Sequence, residues 1–213
     1  MTVATREKRF VLTVGERIRQ ELQTLIGQTP VTLASGSPRR REILTLAGIQ
    51  AEVLVPDINE DVVPNLAPQD FARYIATCKL ESIPSRHGIT VSADTIVVLE
   101  DQILGKPVDK PDARRMLKLL SNRRHIVITA LAIRDEISGQ MIVDSDKSYV
   151  TFCRLRDEDI DDYIESGEPM DKAGAYGIQG MGELLVDRLE GSLHNVIGFP
   201  IELFVRMMRE LRA

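Results

Sequence analysis

Leu33–Leu44 reads LASGSPRRREIL. Val31–Ala34, which it overlaps, is a short apolar run suited to a buried strand. S-G-S-P is a tight turn. Ser37 as cap and Pro38 at the first helical position start a helix. Ile43, Leu44, Leu46 and Ala47 give that helix a buried face, and Gly48 ends it. Three arginines follow the turn, at the helix end where the dipole disfavours cations. The same strand–turn–helix junction is an anion site, because free backbone N–H groups point outward there. Gly36 lets a ligand approach the backbone closely, and arginine forks suit phosphate oxygens. Successive helical residues point about 100° apart, so the three arginines do not converge. Arg39 and Arg40 are assigned to the anion and Arg41 to solvent. A solvated charge run is the plain alternative; the turn before it favours phosphate. The sequence holds neither GxxxxGK(S/T) nor GxGxxG after a strand, so this is neither a P-loop nor a dinucleotide fingerprint.

Outward from this junction, strands and helices alternate. Residues 1–29 read as an extension, with a short amphipathic helix over 15–27 carrying Ile18, Leu22, Leu25 and Ile26 on one face and ending at Gly27. Strands are expected over 51–56 and 89–99, the second apolar enough to lie centrally. Helices are expected over 68–83 and 109–120. Residues 125–135 and 141–155 make a hairpin around Ile137–Gln140. A helix over 157–166 carries its acidic residues near its N-terminus. Residues 171–182 are glycine-rich and irregular, 184–186 is a short strand, and 201–211 a terminal helix. This pattern argues an α/β fold with a mixed twisted sheet and flanking helices.

Three further places draw attention. Asp94, in Ser92-Ala-Asp-Thr95, is a carboxylate inside the most apolar strand. An unpaired buried charge is costly, so it calls for a metal, a cation or a catalytic duty; a strand-end turn cap is the plain alternative. Lys106 lies in Ile103-Leu-Gly-Lys-Pro107, just after that strand, and Lys79 lies on an apolar-striped helix; a lone lysine is most often plain surface. Gln179, in the loop from Glu168 to Gly180, offers an amide to a base edge or to the loop itself.

Composition narrows the classes. The 213 residues are 43% hydrophobic and 28% charged with net charge −5, which suits a globular chain of one large domain or two small lobes and disfavours a nucleic-acid-coating protein. Cys78 and Cys153 lack CxxC spacing and the three histidines lack metal-ligand spacing, so neither a disulfide framework nor a zinc site is indicated. No apolar run approaches a membrane span. The N-terminal basic residues are mixed with Glu7, Glu16 and Glu21, unlike a transit peptide, and cytoplasm is the default expectation.

Together these segments resemble the Maf family of nucleoside triphosphate pyrophosphatases. The matching pieces are LASGSPRRREIL, the N-E-D around Glu60, the helix with Lys79, SADTIVV, ILGKP, DARRMLKLLS, EPMDKAGAYGIQG and GSLHNVIGFP, in the family's order from about Val31 onward. The resemblance implies an inosine triphosphatase-like fold, two lobes around a cleft, spanning 30–213, and commonly a homodimer. It implies metal-dependent hydrolysis between the α- and β-phosphates of a small-molecule nucleotide, with no nucleic acid or membrane as partner. Ser35, Gly36, Arg39, Arg40, Lys79 and Lys106 would hold the substrate. Glu60 and Asp94 would be the acidic centre, binding Mg²⁺ or Mn²⁺, with Asp94 matching the family's proposed proton acceptor. Arg40, Thr95 and Gln179 match positions linked to base choice in the branch resembling dTTP/UTP pyrophosphatases; a branch acting on 7-methyl-GTP differs there. The competing reading is a non-catalytic nucleotide-binding regulator of septum formation. Two carboxylates beside four cations favour catalysis over that role.

Overall fold

The computed structural model describes residues 10–58 and 65–213. A seven-stranded mixed sheet runs through it in the order β2-β1-β3-β5-β6-β7, with β4 paired to β3 off that path. The strands are β1 (Val31–Ala34), β2 (Ala51–Leu54), β3 (Ile89–Leu99), β4 (Gln102–Leu104), β5 (Arg124–Asp135), β6 (Met141–Phe152) and β7 (Val186–Glu190). β1 is parallel to β2 and β3, because the helix between β1 and β2 returns the chain to the same end; every other pairing is antiparallel. The helices are α1 (Glu16–Ile26), α2 (Pro38–Leu46), α3 (Pro68–Glu81), α4 (Lys110–Leu120), α5 (Asp157–Glu165), α6 (Leu193–Ile197) and α7 (Ile201–Leu211).

β3 and β5 are buried on both faces, and strand alternation divides their residues between two packing clusters. On one side α3 brings Ala72, Ala76 and Leu80 against Ile96, Val98, Ile128, Ala130 and Ala132. The alanines on both elements let the helix lie close to the sheet. On the other side Val91, Ala93, Val97, Leu99, Val127, Leu131 and Ile133 belong to the main core, to which α1, α2, α4, α5 and α7 all contribute. Arginines and lysines of α4 meet carboxylates of α5, with Lys110 to Glu165 at 2.8 Å, Lys118 to Asp157 at 2.9 Å, and Arg114 to Asp161. The acidic run thus has cationic neighbours on α4 as well as its helix N-terminus.

α1 forms at the expected place and packs along α7, burying Leu22 and Ile26. Arg209 pairs with Glu21, and Arg212 Nε donates to the Leu25 carbonyl at 3.3 Å. Several expected boundaries shift. β2 stops at Leu54, α3 stops at Glu81, and the strand expected over 184–186 is instead β7, because 180–185 winds into a 3-10 helix. Ser37 occupies the α2 cap position but makes no side-chain cap bond; its N–H is taken by Ser35 Oγ at 3.2 Å. Short β4 and α6 carry too few residues for a periodicity signal.

Candidate active site

β1 ends at Ala34 opposite Ser92, while β3 runs on to Leu99 and meets β4 only from Val97. Along this edge of β3 residues 93–96 face neither strand. The S-G-S-P turn bends away here, and the gap opens a cleft of about 990 Å³ that passes from one face of the sheet to the other. Asp94 and Thr95 are successive residues in the gap, so their side chains leave on opposite faces. Both line the cleft, as do Ser35, Gly36, Arg39, Arg40, Lys79, Lys106 and Gln179. Glu60 lies outside the described residues.

On the α3 face, Lys79 Nζ lies 2.7 Å from Asp94 Oδ1, and both side chains are largely buried. The buried face of α3 runs Ala72, Ile75, Ala76, Lys79, Leu80. That helical spacing was the signal that Lys79 is no surface lysine, and it delivers the cation to the carboxylate that needed one.

On the opposite face, Arg40 reaches back across the turn. Its Nε donates to the Gly198 carbonyl at 2.9 Å, Nη1 to Ser35 Oγ at 2.9 Å and Nη2 to Thr95 Oγ1 at 3.2 Å. Gly198 has φ +112, and a Cβ there would lie 3.0 Å from Thr95 Oγ1 and 3.5 Å from Arg40 Nε. Glycine is therefore needed both for the backbone angle and for the close approach. Arg39 turns toward the glycine-rich loop, 3.7 Å from Asp171, and Arg41 lies outside this cleft, as helical spacing required.

The glycine-rich loop is a shaped wall. It winds through 3-10 turns at Glu168–Asp171, Ala173–Ala175 and Gly180–Leu185. Gly174 N–H donates to the Gly105 carbonyl at 2.9 Å, tying the loop to the turn that carries Lys106. A Cβ on Gly182 would stand 2.0 Å from the Gly177 carbonyl, so two passes of the loop touch. The loop adds residues that sequence reasoning left unassigned: Lys172, 2.6 Å from Asp171, and Glu168 both line the cleft. Burial works to raise the Asp171 pKa, but the Lys172 hydrogen bond and the charges of Lys172 and Arg39 hold it below its ordinary value. Among the described residues the lining carries five cations (Arg39, Arg40, Lys79, Lys106, Lys172) against three carboxylates (Asp94, Glu168, Asp171), in a chain of net charge −5. Local excess of positive charge inside an acidic protein marks an anion site.

The sequence profile of the family described as Maf-like protein matches residues 30–211. The chain belongs to the Maf family. Among its Maf-family relatives, a dTTP/UTP pyrophosphatase of Caldicellulosiruptor saccharolyticus is 43% identical over 187 residues, covering 85% of this chain and 94% of that protein. One of Geotalea uraniireducens is 43% identical over 185 residues, covering 86% and 95%. One of Bacillus anthracis is 41% identical over 184 residues, covering 85% and 94%. A solved nucleoside-triphosphatase / dITP/XTP pyrophosphatase of Mycobacterium abscessus aligns at a TM-score of 0.42 and 14% identity, over 86% of this chain and 98% of that one. The Maf profile begins at residue 30, so α1 precedes it. No described helix is long and apolar enough to cross a membrane.

Among the described residues, no group of three or more His, Cys, Asp or Glu forms a closed metal cage. A hard divalent cation such as Mg²⁺ does not require one, since it binds through one or two carboxylates, substrate phosphates and water. Asp94, a carboxylate lining a cleft of about 990 Å³ rich in cations, fits that mode of binding.

Proposed function

We propose that this protein hydrolyses a nucleoside triphosphate between its α- and β-phosphates, releasing the monophosphate and pyrophosphate, with dTTP, UTP or modified pyrimidine nucleotides as substrates. The observation that carries this reading is the Lys79–Asp94 pair set in a cleft lined by further arginines and lysines. A cleft that only bound nucleotide would gain from the cations and lose from the carboxylate. The names of the relatives supply the pyrimidine assignment, and Arg40, Thr95 and Gln179 stand where the sequence resemblance places base choice.

In this reading the triphosphate lies against Arg39, Lys106 and the N-terminal end of α2; within the S-G-S-P turn the Ser35 and Ser37 N–H groups are already bonded, to the Leu33 carbonyl and to Ser35 Oγ. Lys79, 2.7 Å from Asp94, fixes the orientation of that carboxylate and would meet phosphate charge as it develops. Asp94, with Glu60, would hold Mg²⁺ or Mn²⁺; the ion when bound neutralises phosphate charge and acidifies an attacking water. Asp94 would also accept the proton of the attacking water. The glycine-rich wall excludes solvent from the reacting phosphates. We further propose a homodimer working in the cytoplasm as a house-cleaning enzyme.

The test is pyrophosphate release from dTTP, UTP, CTP, GTP and 7-methyl-GTP with Mg²⁺ or Mn²⁺. Release from dTTP and UTP, lost in Asp94→Asn, supports the reading. Nucleotide binding with no turnover of any of them overturns it and favours the regulatory role.

A further inference from the structure

The proton direction of one cleft hydroxyl is set from outside the cleft. Thr129 on β5 stands directly across from Thr95 in the β3–β5 register. Its Oγ1 lies 2.7 Å from the Asn195 backbone carbonyl and 3.0 Å from Thr95 Oγ1. A carbonyl only accepts, and a hydroxyl has a single proton. The Thr129 proton therefore goes to Asn195, and Thr129 Oγ1 accepts from Thr95. The Thr95 proton is thereby spent inward, and its oxygen accepts from Arg40 Nη2 at 3.2 Å. The bonds run one way, from Arg40 through Thr95 and Thr129 to Asn195.

The far end of this chain is fixed. Asn195 and Thr129 are both fully buried. Asn195 Oδ1 accepts from the Thr129 N–H at 3.1 Å, and its Nδ2 donates to the Val127 carbonyl at 2.9 Å and to Ser148 Oγ at 3.0 Å. With donors and acceptors matched on both sides, the amide has one orientation. The near end is half-buried and lines the cleft.

We propose that Thr129 and Asn195 are positioning residues for base selection. By consuming the Thr95 proton they leave Thr95 a pure acceptor beside Arg40, a pure donor. The base edge complementary to that pair offers a ring N–H next to a carbonyl, as the imide of uracil and thymine does. The cytosine ring nitrogen, an acceptor, meets the Thr95 oxygen lone pair to lone pair. This inference rests on the function proposed above and adds the residues that enforce its selectivity.

The experiment compares kcat/KM for UTP and CTP in the wild type, Thr129→Val and Thr129→Ser, with thermal melts of each. Val keeps the shape and removes the hydroxyl, so the Thr95 proton is free to turn toward the cleft. The expected result is a UTP-over-CTP ratio that narrows about tenfold in Thr129→Val, the scale of one misdirected hydrogen bond. The change sits in KM more than kcat, and Thr129→Ser restores it. Thr95→Val should narrow the ratio similarly, and the double variant should add nothing further. If Thr129→Val does not fold, Thr129→Cys, a weak donor, takes its place. A folded variant that keeps the wild-type ratio, or a Ser variant that fails to restore it, overturns the inference while leaving the pyrophosphatase reading standing. A wild type that turns over no nucleotide overturns both.

Discussion

Lys79 Nζ lies 2.7 Å from Asp94 Oδ1, with the two side chains 11% and 10% exposed. Two largely buried opposite charges, one from a helix and one from the central strand, hold each other in place where the sheet opens. Removing one takes from the other the opposite charge 2.7 Å away in a largely desolvated place, at a cost of about 3–5 kcal/mol, whereas replacing both by apolar residues is far less damaging. Asp94→Leu and Lys79→Met are each expected to lower the stability, and Lys79→Met/Asp94→Leu to recover most of the loss while remaining inactive. Chemical denaturation of the four proteins checks this; additive losses in the double variant would show that the pair is not coupled.

Gly198→Ala is expected to act on the base side of the cleft. The new Cβ meets Thr95 Oγ1 at 3.0 Å, and φ +112 is unfavourable for any side chain. The strain amounts to about 1–3 kcal/mol. Arg40 must shift with the carbonyl it binds. The expected outcome is a raised KM for nucleotide with a smaller change in kcat, measured by steady-state pyrophosphate release. An unchanged KM would mean that Arg40 and Thr95 do not meet the substrate.

α1 is expected to stabilise the protein without touching its chemistry. Leu22 is fully buried against the core that includes α7. Leu22→Ala removes apolar contacts and leaves a cavity, costing about 2–5 kcal/mol. Denaturant midpoints should fall while kcat and KM at low temperature stay within twofold; a lost kcat in folded protein would contradict this.

Stability is expected to fall as pH drops below about 6.5, through His125. Burial pushes its pKa from an ordinary 6.5 down to about 4. Its ring stands edge-on to Phe152 and Tyr176, with Nε2 2.7 Å from the Tyr176 hydroxyl. Between pH 6.5 and 4 the unfolded chain binds a proton that the folded chain refuses, so stability rises with pH across that window and is fully present above it. The full difference is about 3 kcal/mol. Denaturation at pH 7.5, 6 and 5 measures it, and His125→Gln should flatten the curve above pH 5. A wild-type curve that is already flat there would refute the assignment.

Much of this protein is fixed by local sequence. Val31–Ala34 followed by S-G-S-P and an apolar-striped helix becomes strand, turn and helix because propensity, proline placement and burial all agree. The long apolar run Ile89–Leu99 becomes the central strand at its expected bounds, and Ile201–Leu211 the terminal helix. Helical spacing alone also separates Arg41 from Arg39 and Arg40. Tertiary structure decided what periodicity does not encode, namely which elements become neighbours. Lys79 and Asp94 are 15 positions apart and meet because α3 packs on β3. Arg40 and Gly198 are 158 positions apart, and their bond exists because α6 packs against β5 and α2 approaches α6. The Thr95–Thr129 contact depends on antiparallel register, which a one-residue slip would abolish. A strand's own sequence states which residues alternate between faces; which residue stands across from it is settled only when long-range packing sets the register.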